Sequence, residues 1–406
     1  MTTLRPDFLW GAATAAHQIE GDNYNSDFWA MEHSGMAPHI KEPSGSACDS
    51  WHRYREDIRL LAEGGLTTYR FSVEWARIEP ADGLFSRAAL LHYRDMIDAC
   101  HEHGVTPVVT LHHFTYPQWF AAGGGSLRED APQRFAAYTE FVSEILHDVE
   151  WVVTINEPNI LALFGLGLLR RQRAEADAAA GAVAEAQPTV AMATMPLPPF
   201  ELATAITAMH RAAVEVLRRT TTAKVGWAIA AQALMPTEGN EAVWEKVFHQ
   251  WEGVYYEGSA GDDFIGMQSY TSQDVDADGV VPHPESPDNT LTGWAYRPDA
   301  LGINLRRVWE MYGIPLLVTE NGIATADDTR RIDYTRGALR GMIDAVANGV
   351  DVLGYCHWSL LDNYEWGSWA PTFGLIAVAR DTDFARHPKS SLAWLGSVAA
   401  SNGESI

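Results

Sequence analysis

Short apolar and β-branched runs recur along the chain, and amphipathic helical stretches separate most of them. The runs that read as strands are Phe8–Ala13, Thr67–Val73, Thr106–Leu111, Trp151–Ile155, Lys224–Ile229, Asp263–Ser269, Pro315–Thr319 and Val352–Trp358, eight in all. Between them, Arg53–Glu63 sets Tyr54, Ile58, Leu61 and Ala62 on one helical face and stops at Gly64-Gly65. Arg134–His147 and Pro298–Tyr312 read similarly. Strands that stay apolar at successive positions are buried on both faces, as in a parallel sheet covered by helices. Eight such units predict an α/β fold, a (β/α)8 TIM barrel forming a single domain over residues 1–406. In that fold the active site lies at the C-terminal ends of the strands.

One segment departs from the pattern. In 166–199, Arg170-Arg171-Gln172-Arg173 leads into an alanine-rich tract and then Met195-Pro-Leu-Pro-Pro199. It reads as an excursion after the fourth strand, helical in its middle on alanine propensity and irregular toward its prolines. A lid and a solvated loop fit it equally.

Composition narrows the partners rather than the fold. The 406 residues are 47% hydrophobic and 11% aromatic, ample for a large core. With 29 Lys+Arg against 53 Asp+Glu, the formal charge is -24, which disfavours nucleic acid and anionic membranes and also serves plain solubility. Cys48, Cys100 and Cys356 form no CxxC pair, so neither a disulfide framework nor a metal site is expected. The N-terminal residues lack a signal-peptide pattern, and no run approaches the roughly 18 apolar residues of a membrane span. A soluble cytoplasmic protein is expected; the oligomeric state is left open.

Polar residues gather where the strands end. Strand four delivers Asn156-Glu157-Pro158 and strand seven Glu320-Asn321-Gly322. Arg70 lies on strand two, His113 follows strand three, Tyr270 follows strand six and Trp358 ends strand eight. A lone glutamate after a strand is usually a first-turn residue favoured by the helix dipole. Two glutamates, each beside an asparagine and three strands apart around an eight-stranded ring, can face one another across its mouth. Such a pair suits glycoside hydrolysis, one carboxyl protonated to donate and the other ionised to attack. Sugars also need aromatic platforms beside polar side chains. Trp358, Tyr364, Trp366 and Trp369, interleaved with Asp362, Asn363 and Glu365, are expected to wall a pocket.

From Phe8-Leu-Trp-Gly-Ala-Ala-Thr-Ala-Ala-His-Gln-Ile-Glu-Gly21 to about Trp394, the chain resembles glycoside hydrolase family 1, the β-glucosidase family. Thr154-Ile-Asn-Glu-Pro158 and Val318-Thr-Glu-Asn-Gly322 resemble its two catalytic signatures. Tyr69-Arg-Phe-Ser-Val-Glu-Trp75 and Trp358-Ser-Leu-Leu-Asp-Asn-Tyr-Glu-Trp366 resemble its strand-two and strand-eight blocks. The resemblance implies a retaining exo-β-glycosidase without cofactor, acting on a small-molecule β-glycoside or oligosaccharide. It implies Glu157 as acid/base and Glu320 as nucleophile, with Arg70 and Tyr270 against Glu320 and Asn156 on the sugar 2-hydroxyl. Gln18, His113, Glu365 and Trp366 would bind the other hydroxyls. Trp358 would underlie the ring with Phe373 nearby, and Trp294 would line the leaving-group side.

Three features depart from the family pattern. Phe114 stands where the family usually has Trp, Gln268-Ser269-Tyr270 replaces Asn-Tyr-Tyr, and the stretch between strands five and six is short. The loop Glu365-Trp-Gly-Ser-Trp-Ala-Pro-Thr372 lacks the lysine of the 6-phospho-β-glycosidase branch, which favours an unphosphorylated sugar. Glu157 sets the chain apart from the thioglucosidase branch, which has glutamine there. Glucoside is the favoured substrate, with galactoside and fucoside close behind. A transglycosidase using the same glutamates and a non-catalytic sugar-binding protein are the alternatives.

Overall fold

The computed structural model describes residues 4–35, 37, 40–167, 169 and 196–406. Most of the excursion expected over 166–199 lies outside the described residues. Eight parallel strands close into a barrel. They are β1 (Leu9–Ala13), β2 (Thr68–Ser72), β3 (Thr106–His112), β4 (Trp151–Asn156), β5 (Lys224–Ala231), β6 (Ile265–Ser269), β7 (Leu316–Asn321) and β8 (Val352–Trp358), which pairs back to β1. Every run expected from its apolar pattern forms a strand, with ends that agree to within two residues.

Two cores explain the continuous apolarity of the strands. Leu9, Val108, Trp151, Val153, Ala228, Phe264, Leu317 and Leu353, contributed around the ring, touch one another inside the barrel. A larger cluster, including Phe71, Val109, Val152, Ile265 and Val318, packs against the surrounding helices. Ser50–Glu63 buries Ile58 and Leu61 and ends at Gly64 as its pattern predicts. The helix expected over Arg134–His147 runs instead over Ala131–Ser143. Pro132 occupies its first turn, where no N–H is required, and residues 144–146 continue in tighter three-residue hydrogen bonds. Ala300–Tyr312 matches its expected end.

The ladder is irregular where polar residues leave it. On β4 the register shifts between Val153 and Asn156, and on β7 it shifts between Val318 and Glu320. Strict alternation from the inward-facing Val153 and Leu317 would turn Asn156 and Glu320 outward. The extra residue re-phases each strand so that both face the barrel mouth, a common use of bulges beside functional sites. Among the described residues no helix is long and apolar enough to cross a membrane.

Candidate active site

Arg70 on β2 is fully buried and organises the mouth of the barrel. Its Nη1 donates to Glu320 Oε1 at 2.5 Å, its Nη2 to Asn156 Oδ1 at 2.6 Å and its Nε to Thr110 Oγ1 at 3.1 Å. The Tyr270 hydroxyl donates to the other Glu320 oxygen at 2.6 Å. Tyr270 is itself fixed, its carbonyl accepting from the Tyr334 hydroxyl at 2.6 Å and its ring packing against Trp294 and Phe373. Both oxygens of Glu320 are thus held, one by a donor on β2 and the other by a donor just past β6.

Glu157 is placed differently. It sits one residue beyond β4 in the left-handed region at φ +43°, uncommon for a residue with a Cβ. Its N–H donates to the Ala228 carbonyl at 2.7 Å, and Pro158 then opens the helix Pro158–Phe164. Among the described residues nothing donates a hydrogen bond to its carboxyl. Phe114 and Trp366, also at positive φ, line the same pocket. Such conformations cost energy and collect at functional sites.

These surroundings divide the protons. Burial drives Glu157 well above the ordinary carboxyl range, and the charges on Glu320 and Glu365 add to it against Arg70. Burial raises Glu320 as well, but the charge of Arg70 and hydrogen bonds from Tyr270, Arg70 and Gln268 pull it back. The shared proton therefore resides on Glu157 and the charge on Glu320. Glu365 is pushed up to about 8, mainly by burial, against a hydrogen bond from Trp358 Nε1 at 3.3 Å. His113 falls well below its usual value through burial and the nearby Arg70 charge, so it is neutral.

A pocket of about 370 Å³ opens between the two glutamates. Asn156, His113, Gln268, Tyr270 and Glu365 supply its polar lining. Trp358, Trp366, Trp294, Phe373 and Phe114 supply aromatic walls. His113 lies nearly parallel between Trp358 (centroids 5.8 Å apart, 19° between planes) and Trp366 (6.1 Å, 11°). Outside the pocket, Asp98, His101 and Asp148 are spaced for a cation, but Arg94 already donates to both carboxylates.

The family model for glycosyl hydrolase family 1 matches residues 1–257 and 254–404. The chain belongs to glycosyl hydrolase family 1. Its curated relatives include the aryl-phospho-β-D-glucosidase BglC of Bacillus subtilis, 30% identical over 98% of both chains. Among solved structures, the β-glycosidase BGL167 superposes with a TM-score of 0.86 at 42% identity, covering 98% of this chain and 97% of the other. The β-glucosidase of Thermotoga maritima in complex with glucoimidazole gives 0.85 at 27% identity, covering 99% and 100%. This family 1 protein is a glycoside hydrolase with the expected barrel.

In this family 1 hydrolase, ten of the twelve residues singled out in the sequence line the pocket, and Arg70 and Gln18 hold what lines it. Gln18 reaches the site only through Glu365, whose carboxyl its side chain hydrogen-bonds. Its Nε2 donates to Asn363 Oδ1 at 2.9 Å and to the Tyr364 carbonyl at 2.8 Å, which ties it to the loop behind Glu365. Its buried Oε1 has no partner among the described residues. The aromatic cluster after β8 is divided. Trp358 and Trp366 face the pocket, whereas Tyr364 donates to the Glu42 carbonyl and Trp369 to the Pro43 carbonyl. Sequence reasoning missed Ile160, Phe164, Gln232, Gln273 and His283, which also line the pocket. Gln232 follows β5 directly, a position that marks it as a mouth residue. His283 lies in irregular chain and carries no such signal.

Proposed function

We propose that this hydrolase is an exo-acting, retaining β-glycosidase whose preferred substrate is an unphosphorylated β-glucoside. The observation that carries the reading is the opposite treatment of two carboxyls in one pocket, Glu320 held by Arg70 and Tyr270 and Glu157 without a hydrogen-bond donor among the described residues. Glu320 attacks the anomeric carbon as Glu157 gives its proton to the departing glycosidic oxygen, leaving a sugar ester on Glu320. Water then attacks the same carbon, Glu157 takes its proton, and Glu320 is released as the carboxylate. A pocket of about 370 Å³ at the barrel mouth suits the terminal sugar of a chain.

The other roles follow from position. Asn156 addresses the hydroxyl beside the reacting carbon, while His113, Glu365 and Trp366 address the remaining hydroxyls, with Gln18 acting through the Glu365 carboxyl. Trp358 underlies the ring with Phe373 beside it, and Trp294 meets the leaving group. Among the described residues no lysine or arginine lines the pocket to pair with a phosphate. This favours the unphosphorylated sugar, although the Bacillus subtilis relative is an aryl-phospho-β-D-glucosidase by name. Residues 1–406 act as one catalytic unit, and three buried free cysteines suit the reducing cytoplasm.

The test is proton NMR of the first sugar released from 4-nitrophenyl β-glucoside. Retention gives the β-anomer first; initial α-anomer refutes double displacement. An inactive enzyme across aryl β-glucosides, galactosides and fucosides returns the chain to a sugar-binding role. Dominant transfer to an added alcohol makes it a transglycosidase.

A further inference from the structure

Gln268 ends its side chain in the middle of the catalytic network, yet the mechanism above gives it no task. It lies on β6, is 1% exposed and lines the pocket. Its Nε2 is 2.7 Å from Asn156 Oδ1, and its amide also bonds the Glu320 carboxyl.

Chemistry fixes which way this amide points. A guanidinium only donates, so the Asn156 atom 2.6 Å from Arg70 Nη2 is the carbonyl oxygen. The Gln268 atom facing that same oxygen must then be the N–H. The Gln268 Oε1 is left over, and it is buried with no partner among the described residues. Buried acceptors are nearly always satisfied in folded proteins. An unsatisfied one on a pocket-lining residue, beside the group that attacks the sugar, is an acceptor awaiting a ligand donor.

We infer that Gln268 is a specificity-determining residue whose Oε1 accepts a hydrogen bond from the sugar hydroxyl next to the anomeric carbon. The inference rests on the β-glycosidase reading above. Glu320 must meet the anomeric carbon, and Gln268 touches both Glu320 and Asn156, so the hydroxyl within its reach is the one at carbon 2. That hydroxyl both accepts and donates. It takes a hydrogen bond from Asn156 Nδ2 and gives one to Gln268 Oε1, so the two locked amides read it from both sides. A substrate with hydrogen at carbon 2 leaves the Gln268 oxygen unpaired, whereas Asn156 Nδ2 keeps its contact with His113 Nε2 at 3.2 Å.

The experiment compares kcat/KM for 4-nitrophenyl β-glucoside and its 2-deoxy analogue, in the wild type and in Gln268→Met, which keeps side-chain length without the amide. Division by the analogue cancels any loss that reaches the reaction through Glu320 or through folding. The wild-type preference for the 2-hydroxyl should fall by about tenfold or more in the variant, as expected when a site built to bind a hydroxyl loses its partner. An unchanged preference, however far both rates drop, overturns the inference and leaves Gln268 as a support for Asn156 and Glu320. If Gln268→Met does not fold, Gln268→Asn, which keeps the amide but withdraws its oxygen, gives the same ratio. A wild type inactive on both substrates would instead refute the glycosidase reading itself.

Discussion

The ends of β4 and β7 are built from the same materials and treated in opposite ways. Each delivers a glutamate beside an asparagine, and each needs a register shift to aim its side chains at the mouth. Glu320 remains within the ladder, 4% exposed, with a donor on each oxygen. Glu157 lies one residue past its strand, in a left-handed conformation, facing burial and negative charge without a donor among the described residues. The first environment holds a carboxylate in one ionised geometry. The second holds a proton until something needs it. Two identical side chains thus take different chemistry from what surrounds them, as paired carboxyls with separated pKa values do elsewhere.

The comparison breaks first at Glu320. Glu320→Ala should lose on the order of 10^4- to 10^6-fold in kcat, the scale of deleting a nucleophile. Added azide should restore turnover and yield the α-glycosyl azide, because it enters the vacated space and is not displaced a second time. A variant of normal activity would end the assignment. Glu157→Ala should cost roughly 10^2- to 10^4-fold on alkyl glycosides, whose leaving groups need protonation. For glycosides of acidic phenols the loss in the bond-breaking step should be far smaller. Equal losses on both substrates would remove Glu157 from the acid role.

How much of this contrast was legible depends on backbone regularity. The eight strands were readable because a parallel barrel strand is buried on both faces, and each left a continuous apolar run. The two glutamates were readable because they follow such runs. The inward direction of Asn156 and Glu320 was not, since alternation alone points both away from the mouth. Trp366 and Trp369 show the same limit more sharply. They sit three residues apart in one loop, yet they serve opposite sides of it. Trp366 at φ +46° and Gly367 at φ +128° turn the chain between them, and no periodicity survives such a turn. Gln18 carries the right chemistry at the right strand end, but its amide nitrogen is committed to the 363–364 backbone and side chain.

Glu365 sharpens the comparison from outside the reacting pair. It lines the pocket but adds only charge to the Glu157 environment, so its removal should touch binding more than bond cleavage. Glu365→Ser should raise KM about tenfold, the effect of losing hydrogen bonds to the sugar's distal hydroxyls. Cleavage of aryl substrates at saturation should persist. An unchanged KM would place the sugar's distal hydroxyls elsewhere.

The smallest change tests the contrast most directly. Tyr270→Phe removes one donor from Glu320 and leaves Arg70 and the environment of Glu157 in place. The rate at the optimum should fall about tenfold, one hydrogen bond to a charged group. The informative readout is the pH profile of kcat/KM, whose acid limb reports the nucleophile and whose basic limb reports the proton donor. Glu320 must be ionised, so activity rises as pH climbs through its pKa. The Tyr270 hydrogen bond lowers that pKa, so losing it moves the acid limb to higher pH. The basic limb belongs to Glu157, which Tyr270 does not hold, so it should move far less and the bell should narrow from the acid side. If both limbs shifted together, the two carboxyls would share one environment, and the distinction between a held charge and a held proton would fail.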